Sequence, residues 1–175
     1  MTTPAPDAPR SCGSCTLCCK LIDVPAVEKP MGQWCRHCKP GSGCTIHDTR
    51  PDQCRTYDCL WRAGTFLGPE WKPDRARFVL TVDPATQFLL IQVDPALPTA
   101  WRKEPYYSQI RKWAVTGLGN GRQVVVFNNR AATVILPDKD VPLGTIEPGD
   151  RIVISSAPLL GGGFTYNAEK RKAQP

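Results

Sequence analysis

The sequence lacks any apolar run that could cross a membrane. Its longest runs, such as VVVF at 124–127, are far shorter than the roughly 20 residues that a spanning helix needs. The N-terminal stretch MTTPAPDAPR has no apolar segment of the kind that a secretory signal requires. We therefore expect a cytoplasmic protein without a membrane segment.

Recognised catalytic motifs are also missing. The sequence contains no HExxH, no GxSxG and no phosphate-binding loop. The stretch GLGNG at 117–121 follows a predicted helix instead of a strand, so it indicates a helix end and a turn. Turn chemistry explains four aspartates at predicted strand ends, namely Asp83, Asp94, Asp138 and Asp140. No acid–base pair can be named, and the sequence favours a protein without catalytic activity.

No cysteine follows residue 59, yet the chain contains nine up to and including that position. A reducing cytosol disfavours structural disulfides, and an odd number of cysteines cannot pair completely. A redox-active dithiol is disfavoured too, because no thioredoxin-like strand precedes a C-x-x-C pair. The candidate metal ligands are Cys12, Cys15, Cys18, Cys19, Cys35, Cys38, Cys44, Cys54 and Cys59.

The spacing of these cysteines indicates metal binding. It is C-x2-C-x2-C-C, then fifteen residues, then C-x2-C-x5-C-x9-C-x4-C. Two thiolates separated by two residues can turn back onto one metal ion. Two tetrahedral centres need eight thiolates, which nine cysteines supply. Residues 11–62 show no sustained apolar periodicity, so we expect two Zn²⁺ ions to order this region.

Cys18 and Cys19 are adjacent, which restricts how they can bind. Neighbouring side chains in an extended or turning backbone usually diverge, so we expect the two thiolates to serve different centres. The alternative is that one of them binds a metal while the other lies behind it.

Two histidines and two arginines lie between the later cysteines. His37 and His47 are possible ligands or hydrogen-bond donors beside ligands, or they are solvated. Arg50 and Arg55 either donate hydrogen bonds near the thiolates or face solvent.

The formal net charge of +6 is spread along the chain and forms no concentrated basic segment. Eight metal-bound thiolates together with two dications would lower this charge by four, to +2. The interleaved basic and aromatic residues of nucleic-acid-binding proteins are missing. The sequence therefore disfavours nucleic acid as a partner.

The cysteine pattern resembles a known family. CGSCTLCC at 12–19 and GCTIHDTRPDQCRTYDCLW at 43–61 are similar to the bacterial CxxCxxCC proteins, the YkgJ-type zinc- or iron-chelating domains. The resemblance covers residues 12–61, and WCRHC at 34–38 is similar to a variant found in part of the family. It implies metal binding; some members have been treated as iron–sulfur proteins, and a related domain is attached to a flagellin lysine methylase. The matching residues are Cys12, Cys15, Cys18, Cys19, Cys44, Arg50, Pro51, Cys54 and Cys59.

The spacing of the cysteines favours zinc over iron. The C-x2-C-x2-C start resembles a bacterial ferredoxin, but the C-x3-C-P ending is missing. Zinc tolerates irregular spacing and suits a small region without a core. We predict a zinc-binding module that presents a surface to an unidentified protein partner. The alternative is an iron–sulfur protein with a redox role or a role in support of a modification enzyme.

The remaining sequence predicts an α+β fold. Residues 1–10 are a flexible leader, 11–62 are an irregular, metal-organised, cysteine-rich region, and 64–74 are a connector. Residues 75–156 are a small β-β-α-β-β-β module on which the cysteine-rich region packs, with the helix in EPYYSQIRKWAVTGL. Residues 157–175, which include the apolar loop PLLGGGF, are a flexible tail.

Overall fold

The computed structural model describes residues 10–172, so the predicted leader, apart from Arg10, lies outside the described residues. The fold is mixed α+β with few helices and a cysteine-rich N-terminal region, as the sequence predicts. Among residues 10–172, none of the helices combines the length and the apolar character needed to cross a membrane.

The N-terminal part of the chain consists of short elements. Its α-helices are four or five residues long because proline, glycine and turn residues interrupt the sequence before a longer helix can form. They are α1 (Cys18–Leu21), α2 (Asp52–Thr56), α3 (Leu60–Ala63) and α4 (Pro73–Ala76). Single 3₁₀ turns lie at Pro25–Val27, His47–Thr49, Pro69–Trp71 and Ala100–Arg102. Strands β1 (Cys38–Lys39) and β2 (Gly43–Cys44) form a small antiparallel hairpin.

A five-stranded sheet follows, with its strands in the order β3-β4-β5-β6-β7. One longer helix, α5 (Tyr106–Leu118), connects β4 to β5 and buries Ile110 and Ala114. Strands β5 and β6 pair antiparallel from Val124↔Ile135 to Asn128↔Ala131. The strand bounds are β3 Phe78–Val82, β4 Leu89–Val93, β5 Val124–Asn128, β6 Ala131–Ile135 and β7 Asp140–Thr145.

Two more strands complete the fold. Strand β8 (Arg151–Pro158) pairs antiparallel with β9 (Phe164–Arg171). The predicted apolar loop is the closed end of this hairpin, where the Leu159 amide donates to the Gly163 carbonyl over 3.1 Å. The chain therefore has β7 and β9 in addition to the predicted strands, and β9 occupies part of the predicted tail. The reason is packing, since Ala168 and Tyr166 of β9 join an apolar cluster with Val134.

The structure divides into two compact units. Unit 1 contains the described residues through Thr81 together with Gln92–Trp101, and unit 2 contains Val82–Ile91 and the chain from Arg102 onward. The cysteine-rich region therefore shares its unit with most of β3 and the end of β4.

Each unit has an apolar core of its own. In unit 1, Leu17 and Leu21 beside the first cysteines pack with Val79 of β3. In unit 2, Val125 and Val134 form the centre of the core. The cysteine-rich region therefore has apolar support from residues later in the chain.

Candidate metal centre

Most of the predicted ligands line one cavity in unit 1. Its volume is about 560 Å³, and apolar residues such as Ile22 and Val24 form part of its wall. All nine cysteines are free thiols, and only Cys12 is classed as exposed. The eight that line the cavity are Cys12, Cys15, Cys18, Cys19, Cys35, Cys38, Cys44 and Cys54.

Local backbone turns place the first cysteines side by side. The Cys15 amide donates to the Cys12 carbonyl over 2.9 Å, which closes a turn of the C-x-x-C segment. Helix α1 then starts at Cys18. The Cys35 amide donates to the Cys19 carbonyl over 3.0 Å. That hydrogen bond connects the second group of cysteines to the first.

The β1–β2 hairpin supplies two more thiols. Cys38 and Cys44 are directly opposite each other across the two strands. The turn between the two strands contains Gly41, whose φ of +75° is a conformation that favours glycine. The Gly41 amide donates to Thr16 Oγ1 over 3.1 Å, which holds the hairpin next to the first cysteine cluster.

The side chains of Cys18 and Cys19 lie in contact. Together with burial, this contact raises the pKa of the Cys19 thiol far above its ordinary value. The two side chains thus do not point apart as expected from an extended backbone. They belong to helix α1, where consecutive side chains are separated by only about 100° around the axis. Their assignment to different metal centres stays a prediction.

Other buried thiols raise one another's pKa values. Burial raises the pKa of Cys38 to about 12, and the nearby Cys19 adds to the effect. Burial also raises the pKa of Cys54, with smaller contributions from Cys19, Cys35 and Cys44. Raised pKa values keep these neighbouring thiols protonated in the absence of a cation. A metal cation deprotonates the thiols that it coordinates.

Cys15 and Cys59 share an apolar environment. Both pack against the apolar cluster of Leu17, Leu21 and Val79. Burial raises the pKa of each, and in the case of Cys59 the nearby Cys12 and Cys15 also contribute.

The donor set fits a metal by its chemistry, although the sulfurs do not converge on one point. Within residues 10–172, no three Cys, His, Asp or Glu side chains lie close enough together to hold a metal ion as they are placed. Sulfur donors in this number match what zinc and iron–sulfur clusters require. Which thiols could share a metal ion therefore depends on which sulfurs are neighbours.

The predicted histidines and arginines line the cavity but make other contacts. His37 Nε2 accepts a 3.3 Å hydrogen bond from Arg36 Nε, and His47 Nδ1 lies 3.5 Å from Asp48 Oδ1. Arg50 Nη1 donates to the His47 carbonyl over 2.6 Å. Arg55 donates to the carbonyls of Arg50 and Asp48.

These two arginines therefore brace the loop before α2 through its carbonyl groups. The positive charge of Arg50 also favours ionisation of Cys54, where burial has the larger and opposite effect on the pKa.

Sequence reasoning missed a buried lysine at the cavity wall. Lys29 is 3% exposed and lines the cavity. Its Nζ donates to the carbonyl of Lys20 over 2.6 Å and also to that of Ile22, both at the end of α1. Burial lowers the pKa of Lys29, while the nearby Cys19 and Cys35 act in the opposite direction. No local pattern around VPAVEKP could have indicated this position.

A buried ion cluster anchors helix α1 to the end of β4. Asp94 is 0% exposed; its Oδ1 lies 2.6 Å from Lys20 Nζ, and its Oδ2 accepts a hydrogen bond from Arg77. It also accepts a 3.0 Å hydrogen bond from the Ala96 amide, which is the turn chemistry predicted for it. The partnership with Lys20 spans 74 positions, so no local pattern indicates it.

Tyr57 brings a phenol to the cavity. Its hydroxyl oxygen is buried, and among the described residues no hydrogen-bond partner for it is present. Burial raises the pKa of Tyr57, and the nearby Cys18 and Cys59 raise it further. A phenol in this position can donate a hydrogen bond to a thiolate sulfur.

Comparison with known proteins gives no relative. No family model, no curated protein and no solved structure matches the chain.

Proposed function

We propose that this chain is a metal-binding protein whose cysteine thiolates hold zinc, at two centres, and that it acts as a binding or accessory module for a protein partner. The observation that supports the proposal most directly is the gathering of eight cysteines around one cavity. Cysteines distant in sequence, such as Cys19 and Cys38, lie within side-chain contact there. In a reducing compartment, metal binding explains such a concentration of thiols better than disulfides do.

The proposed metal is zinc because its requirements are the simplest to meet. Zinc needs four sulfur donors in tetrahedral arrangement and accepts irregular spacing along the chain. The alternative is an iron–sulfur cluster with a redox or accessory role. The apolar wall of the cavity and the buried Tyr57 hydroxyl favour that alternative, because both affect the stability and potential of such a cluster.

We further propose membership of the bacterial CxxCxxCC family and a cytoplasmic location. The support for the family is the motif at residues 12–61, in which seven cysteines, Arg50 and Pro51 match. Free thiols are the expected state of cysteines in a reducing compartment. The sequence contains no recognisable acid–base pair, and we propose a role without catalysis.

Elemental analysis and a visible spectrum of anaerobically purified protein test this proposal. Colourless protein with two equivalents of zinc is the expected result, and brown protein with broad visible absorption would favour the iron–sulfur alternative. The variant Cys15→Ser should lose metal, whereas the neighbouring control Ser14→Ala, at an exposed position outside the cavity lining, should keep it. Protein without any bound metal would overturn the proposal.

A further inference from the structure

Five thiols cluster around the β1–β2 hairpin. Cys38 and Cys44 face each other across its strands, and the Cys38 amide donates to the Cys35 carbonyl over 2.9 Å. The Cys19 side chain lies beside that of Cys38, and the Cys19 carbonyl accepts a hydrogen bond from the Cys35 amide. Cys54 lies near Cys19, Cys35 and Cys44.

Three other thiols, those of Cys12, Cys15 and Cys59, form a second group. The turn from Cys12 to Cys15 brings these two together, and Cys59 lies near both of them. Cys15 and Cys59 also pack on the same apolar cluster, which contains none of the hairpin cysteines. Cys59 is distant in sequence from the other two, and its position is set by helix α3, which starts directly after it.

Cys18 and Cys19 lie at the boundary between the two groups. Cys19 faces the hairpin through Cys38. Cys18 lies near the buried Tyr57 hydroxyl, which is also near Cys59. The spacing of Cys18 from Cys15, two intervening residues, suits a shared metal ion. Cys18 and Cys19 can therefore bind metal ions at two adjacent centres, although their side chains are in contact.

We propose that the nine thiols divide into two ligand sets: Cys12, Cys15, Cys18 and Cys59 form one centre, and the second centre is built among Cys19, Cys35, Cys38, Cys44 and Cys54. This division rests on the metal binding proposed above and assigns its ligands. The first set has the four sulfurs of a tetrahedral site, and the second has one sulfur more than such a site needs.

Cadmium NMR of protein loaded with cadmium alone tests the division. Two resonances are expected for the wild type. Cys15→Ser, Cys59→Ser and the double variant of these two should all lose the same resonance. The double variant Cys38→Ser/Cys44→Ser leaves only three thiols in the second set and should lose the other resonance. If Cys59→Ser and the Cys38→Ser/Cys44→Ser variant remove the same resonance, the division is wrong.

A measurement on the wild type avoids any effect of substitutions on folding. Zinc-loaded protein is treated with increasing chelator, and the alkylation of each cysteine is followed by mass spectrometry. Cys12, Cys15, Cys18 and Cys59 should become reactive together, at a chelator concentration different from that of Cys38 and Cys44. Reaction of Cys59 together with Cys38 and Cys44 would overturn the division.

The same experiments separate this inference from the proposed function. A wild type that takes up neither zinc nor cadmium refutes metal binding itself. A wild type that binds metal but gives one cadmium resonance refutes only the division.

Discussion

At the scale of the residue, the Tyr57 hydroxyl is the most unusual polar group near the thiols. It is buried, and no partner for it is present among the described residues. A hydroxyl in this position has lost its hydration without compensation in the metal-free protein. A thiolate of a bound metal centre at Cys18 or Cys59 would accept its hydrogen bond, which stabilises the anionic sulfur.

We predict that Tyr57→Phe weakens metal retention about tenfold, the lower end of the effect of losing a hydrogen bond to a metal ligand. Competition with a chelator measures it. The metal-free variant should be at least as stable as the wild type, because its buried hydroxyl is gone. Tyr166→Phe in unit 2 is the control and should leave metal retention unchanged. Equal retention by Tyr57→Phe and the wild type would contradict the prediction.

Asp94 is the other residue whose chemistry can be tested directly. Burial raises its pKa, but the hydrogen bond from Lys20, the bond from the Ala96 amide and the charge of Arg77 outweigh burial, so the pKa lies below its ordinary value. A carboxylate with a lowered folded-state pKa stabilises the fold above the unfolded-state pKa of about 3.9. That stabilisation is lost as the pH falls through the folded-state pKa.

Asp94→Asn should therefore lower stability at neutral pH by about 3 kcal/mol, the order of magnitude for breaking a buried ion pair. Thermal unfolding of the two metal-loaded proteins across pH measures the difference. The difference should be constant above about pH 4 and should shrink below it. The exposed Asp48 offers the control variant Asp48→Asn, which should change stability by less than about 0.5 kcal/mol. A difference between wild type and Asp94→Asn that does not depend on pH would contradict this account.

At the scale of the element, helix α1 depends on contacts beyond its own sequence. It has only four residues, too few to be stable alone, and no side chain caps its N-terminus. Lys29 satisfies the carbonyls of Lys20 and Ile22 at its other end. A cation at the C-terminal end of a helix also complements the helix dipole.

We expect Lys29→Met to destabilise unit 1 by about 1–3 kcal/mol, because it retains the apolar stem but leaves two buried carbonyls without their donor. Hydrogen exchange at the amides of α1 and of Cys35 measures this loss. The matched control is Lys39→Met, at an exposed position on β1, which should leave exchange unchanged. Similar exchange in both variants would show that Lys29 does not hold the helix.

At the scale of the whole molecule, the two units should respond differently to loss of metal. Unit 2 has a continuous core around Val125 and Val134, and its strands pair along β5, β6 and β7. The core of unit 1 beside the cysteines is smaller, with Leu17, Leu21 and Val79 at its centre. The free energy of metal binding there would be free energy of folding.

Chelation should therefore increase hydrogen exchange over residues 11–62 and leave β5 and β6 protected. The comparison is between the zinc-loaded protein and the same protein after chelator treatment, at one pH and temperature. Unchanged protection over residues 11–62 would contradict the prediction that metals order this region. Loss of protection in β5 as well would show that the core of unit 2 does not persist alone.

Several elements could be predicted because their signals are local. Alternating or continuous apolar residues predicted β3, β4, β5, β6 and β8, and helical spacing predicted α5, which begins directly after Pro105. Strand β9 could not be predicted in this way. FTYNAEKR has few apolar residues, and its pairing with β8 and the burial of Ala168 depend on residues elsewhere in the chain.

The sequence by itself determined the number and spacing of the thiols, and with them the kind of chemistry this region can support. It also determined the local strands and helix, because periodicity and turn residues act over short distances. Only the tertiary structure decided which thiols are neighbours, which carboxylate anchors Lys20, and that Tyr57 lies buried beside Cys18 and Cys59. The reason is that these contacts join residues distant in sequence, and chain packing, which no short stretch encodes, brings them together.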